Sequence, residues 1–210
     1  MPKIKAVLFD MDGVLIDAKD WHYEALNQAL SLFGMEISRY DHLVTYDGLP
    51  TKKKLEMLTL ERGLPRALHN FINDMKQEFT FQLGYAKCKP TFNHQYALSN
   101  LKARGYKMAI CSNSIRKTME VLIERAAITD YFDFYISNED VKEAKPNPEM
   151  YVTAINRLGF RPEECLILED NENGIKAAKA SEAHLLVVGD VNDVNLENIT
   201  NRIAEIEGQA

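Results

Sequence analysis

Cysteine is scarce in this chain. Three of its 210 residues are cysteine, Cys88, Cys111 and Cys165, an odd number too widely spaced for a CxxC pair. A disulfide-stapled scaffold and a cysteine zinc site are both excluded, and the three read as small buried side chains. Basic charge is short as well: 25 Lys and Arg stand against 31 Asp and Glu, for a net charge of -6. That balance leaves no domain-wide basic footprint for nucleic acid. Long apolar runs are missing. Nowhere do about 18 apolar residues follow one another, as a membrane-spanning helix requires. The early run Ala6–Phe9 is broken by Asp10, far short of a secretory core. Internal repeats and low-complexity tracts are absent too. The expectation is a cytoplasmic protein with neither nucleic acid nor membrane as partner.

What the chain does have is apolar material for a real core, 46% hydrophobic against 27% charged, which excludes intrinsic disorder. Its length exceeds one ordinary domain and falls short of two, which suggests one core plus an appendage. Short apolar runs at residues 4–9, 107–111, 134–137, 166–168 and 185–188 read as strands covered on both faces. Between the later ones lie stretches with helical spacing, among them Tyr151, Ala154, Ile155 and Leu158, with Asn147 and Pro148 as start signals and Gly159 as exit. Such alternation predicts a parallel α/β sheet whose ligand site lies beyond the carboxyl ends of its strands. One segment, from about Ala18 to Gly84, has helical patterns and no strand. It is the appendage, inserted directly after the first strand.

The strand ends carry the chemistry. FDMDGVLID, residues 9–17, delivers Asp10 and Asp12 two residues apart, so that in an extended chain both carboxylates point the same way. Adjacent anions repel unless a cation or a shared proton lies between them. LILEDNENG, residues 166–174, ends a second strand in the pair Glu169 and Asp170. Two strands ending in paired acids form an oxygen-rich cage suited to Mg2+. AICSNS places Ser112 and Asn113 at the same edge as uncharged donors, and Lys145 is held out of helical conformation by Pro146.

In these residues the chain resembles the haloacid dehalogenase superfamily. DMDGVLID, the serine of AICSNS, Lys145 and the pair in LILEDNENG follow the order and approximate spacing of its four motifs, over essentially the whole chain. The insertion resembles the helical cap of the subgroup that includes beta-phosphoglucomutase, phosphoglycolate phosphatase and small sugar-phosphate phosphatases, with WHYEAL at residues 21–26 looking like its start. The resemblance implies a Rossmann-like parallel sheet core with helices on both faces, residues 1–17 and 85–210, and an inserted α-helical cap, residues 18–84.

By the same resemblance Asp10 is the nucleophile that forms an aspartyl-phosphate, and Asp12 is the general acid that protonates the leaving oxygen and then activates water. Ser112, the N–H of Asn113 and Lys145 would hold the phosphoryl group. Mg2+ would be held by Asp10, the main-chain carbonyl of Asp12 and Asp170, with Glu169 acting through water. The expected activity is Mg2+-dependent hydrolysis of a small phosphate ester, such as a sugar or polyol phosphate, by a monomer. An acid at position 12 disfavours dehalogenase and phosphonate chemistry. Beta-phosphoglucomutase-like interconversion is the alternative: His22 matches a histidine of that enzyme. Ala18 and Thr51, however, stand where a threonine and a phosphate-gripping arginine are expected, leaving Lys52 or its neighbours to reach a distal anion. A retired binding module is disfavoured because no catalytic position is vacant. Two further departures are Asn171, where a hydroxyl residue often stands, and Glu182, at an expected left-handed helix exit.

Overall fold

The computed structural model describes residues 3–47 and 49–208. Strand β1 (Ala6–Phe9) opens the chain, and the helices of the insertion follow: α1 (Lys19–Ser31), α2 (Arg39–Asp41), α3 (Thr51–Arg62) and α4 (His69–Lys87). The remainder alternates as α5 (Phe92–Ala103), β2 (Lys107–Cys111), α6 (Arg116–Arg125), β3 (Phe134–Ile136), α7 (Glu149–Leu158), β4 (Cys165–Glu169), α8 (Glu172–Ala180), β5 (His184–Val187) and α9 (Leu196–Glu207). The chain divides into two compact units, Ala18–Cys88 and the remainder on either side of it. Helix α4 runs through Gly84, so the insertion extends past the residue where the sequence signal ends.

The five strands among the described residues are all parallel, in the order β3-β2-β1-β4-β5. Connections move outward from β1 in one direction and return on its other side, so the sheet has its topological switch point at β1. In such sheets the crevice beyond the carboxyl ends at that point is where ligands bind. Burial follows the period of two. Ala6 and Leu8 pack with Ala109, Cys111, Ile167, Tyr151 and Ala154 on one face. Phe9 turns to the other face and meets Phe132 edge-on at 5.7 Å. The sequence-predicted strand at 166–168 is longer in the structure and includes Glu169, so Asp170 is the first residue past the sheet.

Helix α7 shows why its residues form a helix where they do. Its buried face is Met150, Tyr151, Ala154 and Ile155, one stripe at helical spacing. The Asn147 carboxamide oxygen accepts from the Glu149 N–H at 2.9 Å, and Gly159 leaves the helix at φ 74. A non-glycine residue at the exit of α8 means either a left-handed strain or a different cap, and Glu182 adopts φ 64, the strained left-handed form. The inserted unit has its own core of Leu26, Leu30, Tyr46, Leu55, Leu58 and Ile72 among others. Asn27 braces it by a reciprocal pair with the Ile37 main chain, at 2.8 and 2.9 Å. All three cysteines are buried, and none forms a disulfide. No helix among the described residues is long and apolar enough to cross a membrane.

Candidate active site

Register assembles the site. Phe9 lies level with Ile110 on one neighbour and Leu168 on the other. Asp10 therefore leaves β1 between Cys111 and Glu169, and its N–H donates to the Leu168 carbonyl at 3.0 Å. After Asp10 the chain makes one tight turn. The Met11 carbonyl accepts from Leu15 and Ile16, both at 2.9 Å, and Gly13, at φ 92, donates to the Ile16 carbonyl at 2.7 Å. A side chain at Gly13 would meet the steric penalty of that backbone region. The turn holds Asp12 in a single bridge to Ile16.

Lys145 comes from the segment between β3 and α7 and reaches under the strand ends. Its Nζ donates to Asp10 Oδ1 and to Glu169 Oε1, each at 2.6 Å, and to the Cys111 carbonyl at 2.7 Å. Those three acceptors match the three donors of an ammonium group. The lysine side chain is 4% exposed. Its main chain is clamped by Asn113, which accepts from the Lys145 N–H at 3.0 Å and donates back to the Lys145 carbonyl at 3.3 Å. The Lys145–Pro146 peptide is cis.

Asp12 lies in a different environment. One of its oxygens, Oδ2, accepts from Ser114 Oγ at 2.9 Å and Ser112 Oγ at 3.2 Å. The Ser112 hydroxyl in turn accepts from the Ser114 N–H at 3.0 Å, which fixes both serines on the turn after β2. Hydroxyls that bridge to an anion orient it without neutralising it.

Burial lifts the Asp10 carboxyl well above the usual carboxylate range, and the nearby Glu169 charge adds to this while Lys145 opposes it. Burial works against the Lys145 charge, but Asp10 and Glu169 outweigh it and hold the ammonium above the ordinary lysine value. Lys145 is thus firmly cationic, yet one cation faces Asp10, Glu169 and Asp170. Oxygen atoms of those three carboxylates lie within 4.8 Å of one another. An all-oxygen, anion-rich set with a surplus of negative charge fits a hard divalent cation such as Mg2+. The Asp12 carboxylate is not part of this cluster.

The structure thus brings together Asp10, Asp12, Ser112, Asn113, Lys145, Glu169 and Asp170, all in the sheet unit. His22 and Lys52 belong to the helical unit. There His22 Nδ1 is 3.2 Å from Lys76 Nζ, Lys52 is exposed, and Lys54 is the buried lysine of α3. Sequence reasoning missed four residues: Ser114, Lys76, Tyr151 and Gly174. Ser114 had a signal, the alternate hydroxyls of the SNS tripeptide. Tyr151 hydrogen-bonds Glu169 Oε1, and its ring lies 4.7 Å from Lys145 Nζ. Tyr151 is wholly buried, and in the sequence it looks like any core aromatic.

The family model of haloacid dehalogenase-like hydrolases matches residues 7–188, and the chain belongs to that family. A phosphorylated carbohydrates phosphatase of Thermotoga maritima is 28% identical over 195 residues, covering 90% of this chain and 88% of that protein. The crystal structure of CbbY from Rhodobacter sphaeroides in complex with phosphate superposes with a TM-score of 0.78 at 25% identity, covering 88% of this chain and 85% of the other. Beta-phosphoglucomutase of Clostridium difficile shares the fold with a TM-score of 0.83 at 22% identity, over 98% of this chain and 99% of the other.

Proposed function

We propose that this hydrolase is a Mg2+-dependent phosphatase of a small phosphorylated metabolite and works through an aspartyl-phosphate on Asp10. The single observation that carries this reading is the division of labour between the two aspartates. Asp10 is buried against Lys145, and Asp12 hangs from the hydroxyls of Ser112 and Ser114. The similarity to a phosphatase of phosphorylated carbohydrates and to a phosphate-bound CbbY supports a phosphate ester as substrate.

In the mechanism, an Asp10 oxygen attacks phosphorus while the ester oxygen departs, and Asp12 gives that oxygen its proton. Asp12 then takes a proton from the water that attacks the phosphorus, releasing phosphate and restoring Asp10. Lys145 balances the charge of Asp10 and of the incoming phosphoryl oxygens. The Asn113 main chain holds those oxygens, since its side chain is committed to Lys145, and Ser112 joins it by turning its single hydroxyl proton from Asp12 to the phosphoryl group. Mg2+ held by Asp10, Asp170 and the Asp12 carbonyl, with Glu169 behind through water, would supply the positive charge that lets a carboxylate approach a phosphate dianion. The helical unit is read as a cap that selects substrate, with His22 and Lys52 as its specificity residues.

Phosphate release from a panel of sugar, polyol and amino-alcohol phosphates, read beside interconversion of sugar 1- and 6-phosphates, tests the reading. Release that requires Mg2+ and vanishes in Asp10→Asn is expected. Unchanged turnover in that variant, or no release from any ester with Mg2+ present, overturns it. Interconversion with little free phosphate would make the enzyme a mutase.

A further inference from the structure

Beneath the reacting carboxylates lies a buried polar cluster that the mechanism leaves unexplained. Glu169 is 1% exposed, and it belongs to the acidic set that fits a metal. Yet one of its oxygens, Oε1, already accepts two hydrogen bonds, from Lys145 Nζ at 2.6 Å and from the Tyr151 hydroxyl. Tyr151 is fixed by the core stripe of α7, so its hydroxyl is a rigid donor. The other side of the carboxylate rests on α8. A Cβ at Gly174 would stand 2.0 Å from Glu169 Oε1 and 2.1 Å from its Cδ and Oε2. Only glycine leaves room for the carboxylate there.

We propose that the Tyr151 hydroxyl, with the space left at Gly174, positions Glu169 as the fixed counter-ion of Lys145 and keeps it from ligating the metal directly. Two adjacent acids, Glu169 and Asp170, are thereby divided. Asp170 serves the cation, and Glu169 serves the lysine that steadies the nucleophile. Removing groups that sit behind a metal's own ligands typically costs about 10- to 100-fold in affinity or activity; here the loss falls on activity, because the carboxylate that is freed is itself a candidate ligand. Tyr151 is a positioning residue, since it touches Lys145 and Glu169 and no reacting atom. The catalytic half of the proposal rests on the phosphatase reading; the metal-binding half does not.

Mg2+ alone, titrated calorimetrically into the full-length metal-free protein, reads the metal-binding half without substrate. Tyr151→Phe keeps the ring over Lys145 and removes one oxygen. Freed of that bond, Glu169 joins Asp10 and Asp170 as a ligand, and Mg2+ binds more tightly than to the wild type. Gly174→Ala drives the same carboxylate from its seat on the other side, and it too is expected to tighten Mg2+ binding. Wild-type or weaker affinity in either variant, with its fold confirmed by circular dichroism, overturns the proposal. In turnover, Tyr151→Phe is expected to lower kcat, expressed per folded active protein, about ten-fold while KM stays within about two-fold. Unchanged kcat also overturns it. If the wild-type protein releases no phosphate from any ester, the phosphatase reading fails, and the calorimetry alone decides the role of Tyr151.

Discussion

Asp10 and Asp12 are the same residue type two positions apart, and the fold gives them opposite surroundings. Asp10 is buried at the sheet edge, against an ammonium group and two further acids. Asp12 sits past the end of the strand, half-buried and suspended from two hydroxyls. A nucleophile must be fixed in place with its charge compensated, whereas a group that gives and takes a proton must be oriented yet able to change charge. Under the proposed mechanism, the roles of the pair follow from surroundings and not from residue identity.

The comparison can be broken from either end. Asp12→Asn retains the hydrogen-bonding shape but removes the proton donor, so steady-state turnover should fall by about 10²- to 10⁴-fold with Mg2+ affinity preserved; loss of metal binding would show that the Asp12 side chain does more than transfer protons. On the other side, Lys145→Ala leaves Asp10 and Glu169 buried without their cation. The metal-free protein should lose about 3 to 5 kcal/mol of stability in denaturant unfolding. A smaller loss would mean that water replaces the ammonium.

Burial as the sorting force is sharpened by His42 in the helical unit. There burial, aided by the Lys54 charge and opposed by Asp47, pushes the imidazole down to about 4. A depressed folded-state value means that stability is fully present above the unfolded value of about 6.5 and drains away as pH falls toward 4, by up to about 3 kcal/mol. Melting temperatures of wild type and His42→Gln between pH 4.5 and 7.5 check this: the wild type should lose stability more steeply on acidification, and parallel curves would refute it. The smallest effect belongs to Ser114→Ala, which removes the shorter of the two bonds to Asp12 and leaves Ser112. A fall in kcat of about ten-fold is expected with unchanged stability, and no change would assign the orientation of Asp12 to Ser112 alone.

Much of this was legible in the sequence, for local reasons. Strands buried on both faces appear as continuous apolar runs, and the acids at their ends mark the sheet edge without any tertiary knowledge. Glu182, which the sequence left between a strained left-handed exit and a different cap, has φ 64. Lys145 was readable as a motif residue, but its burial was not, because it depends on how the segment after β3 folds beneath β1 and β4. Tyr151 and Gly174 were hidden for the same reason: a core aromatic and a helical glycine reveal their role only once Glu169 lies between them. In α3 the sequence offered Lys52, Lys53 and Lys54 alike, and the structure distinguishes them by burial: Lys54 is the buried one. It precedes Leu58 by four residues and so shares the apolar stripe, a phase that periodicity alone contained.

The central claim, that Asp10 carries the phosphoryl group, is tested most directly by mass spectrometry. Asp12→Asn protein is mixed with a substrate ester and Mg2+ and quenched in acid within one turnover. Attack by Asp10 predicts a peptide carrying the mass of one phosphoryl group, with the modification on Asp10. A phosphoryl group on any other residue, or none in a protein that still releases phosphate, would contradict the account.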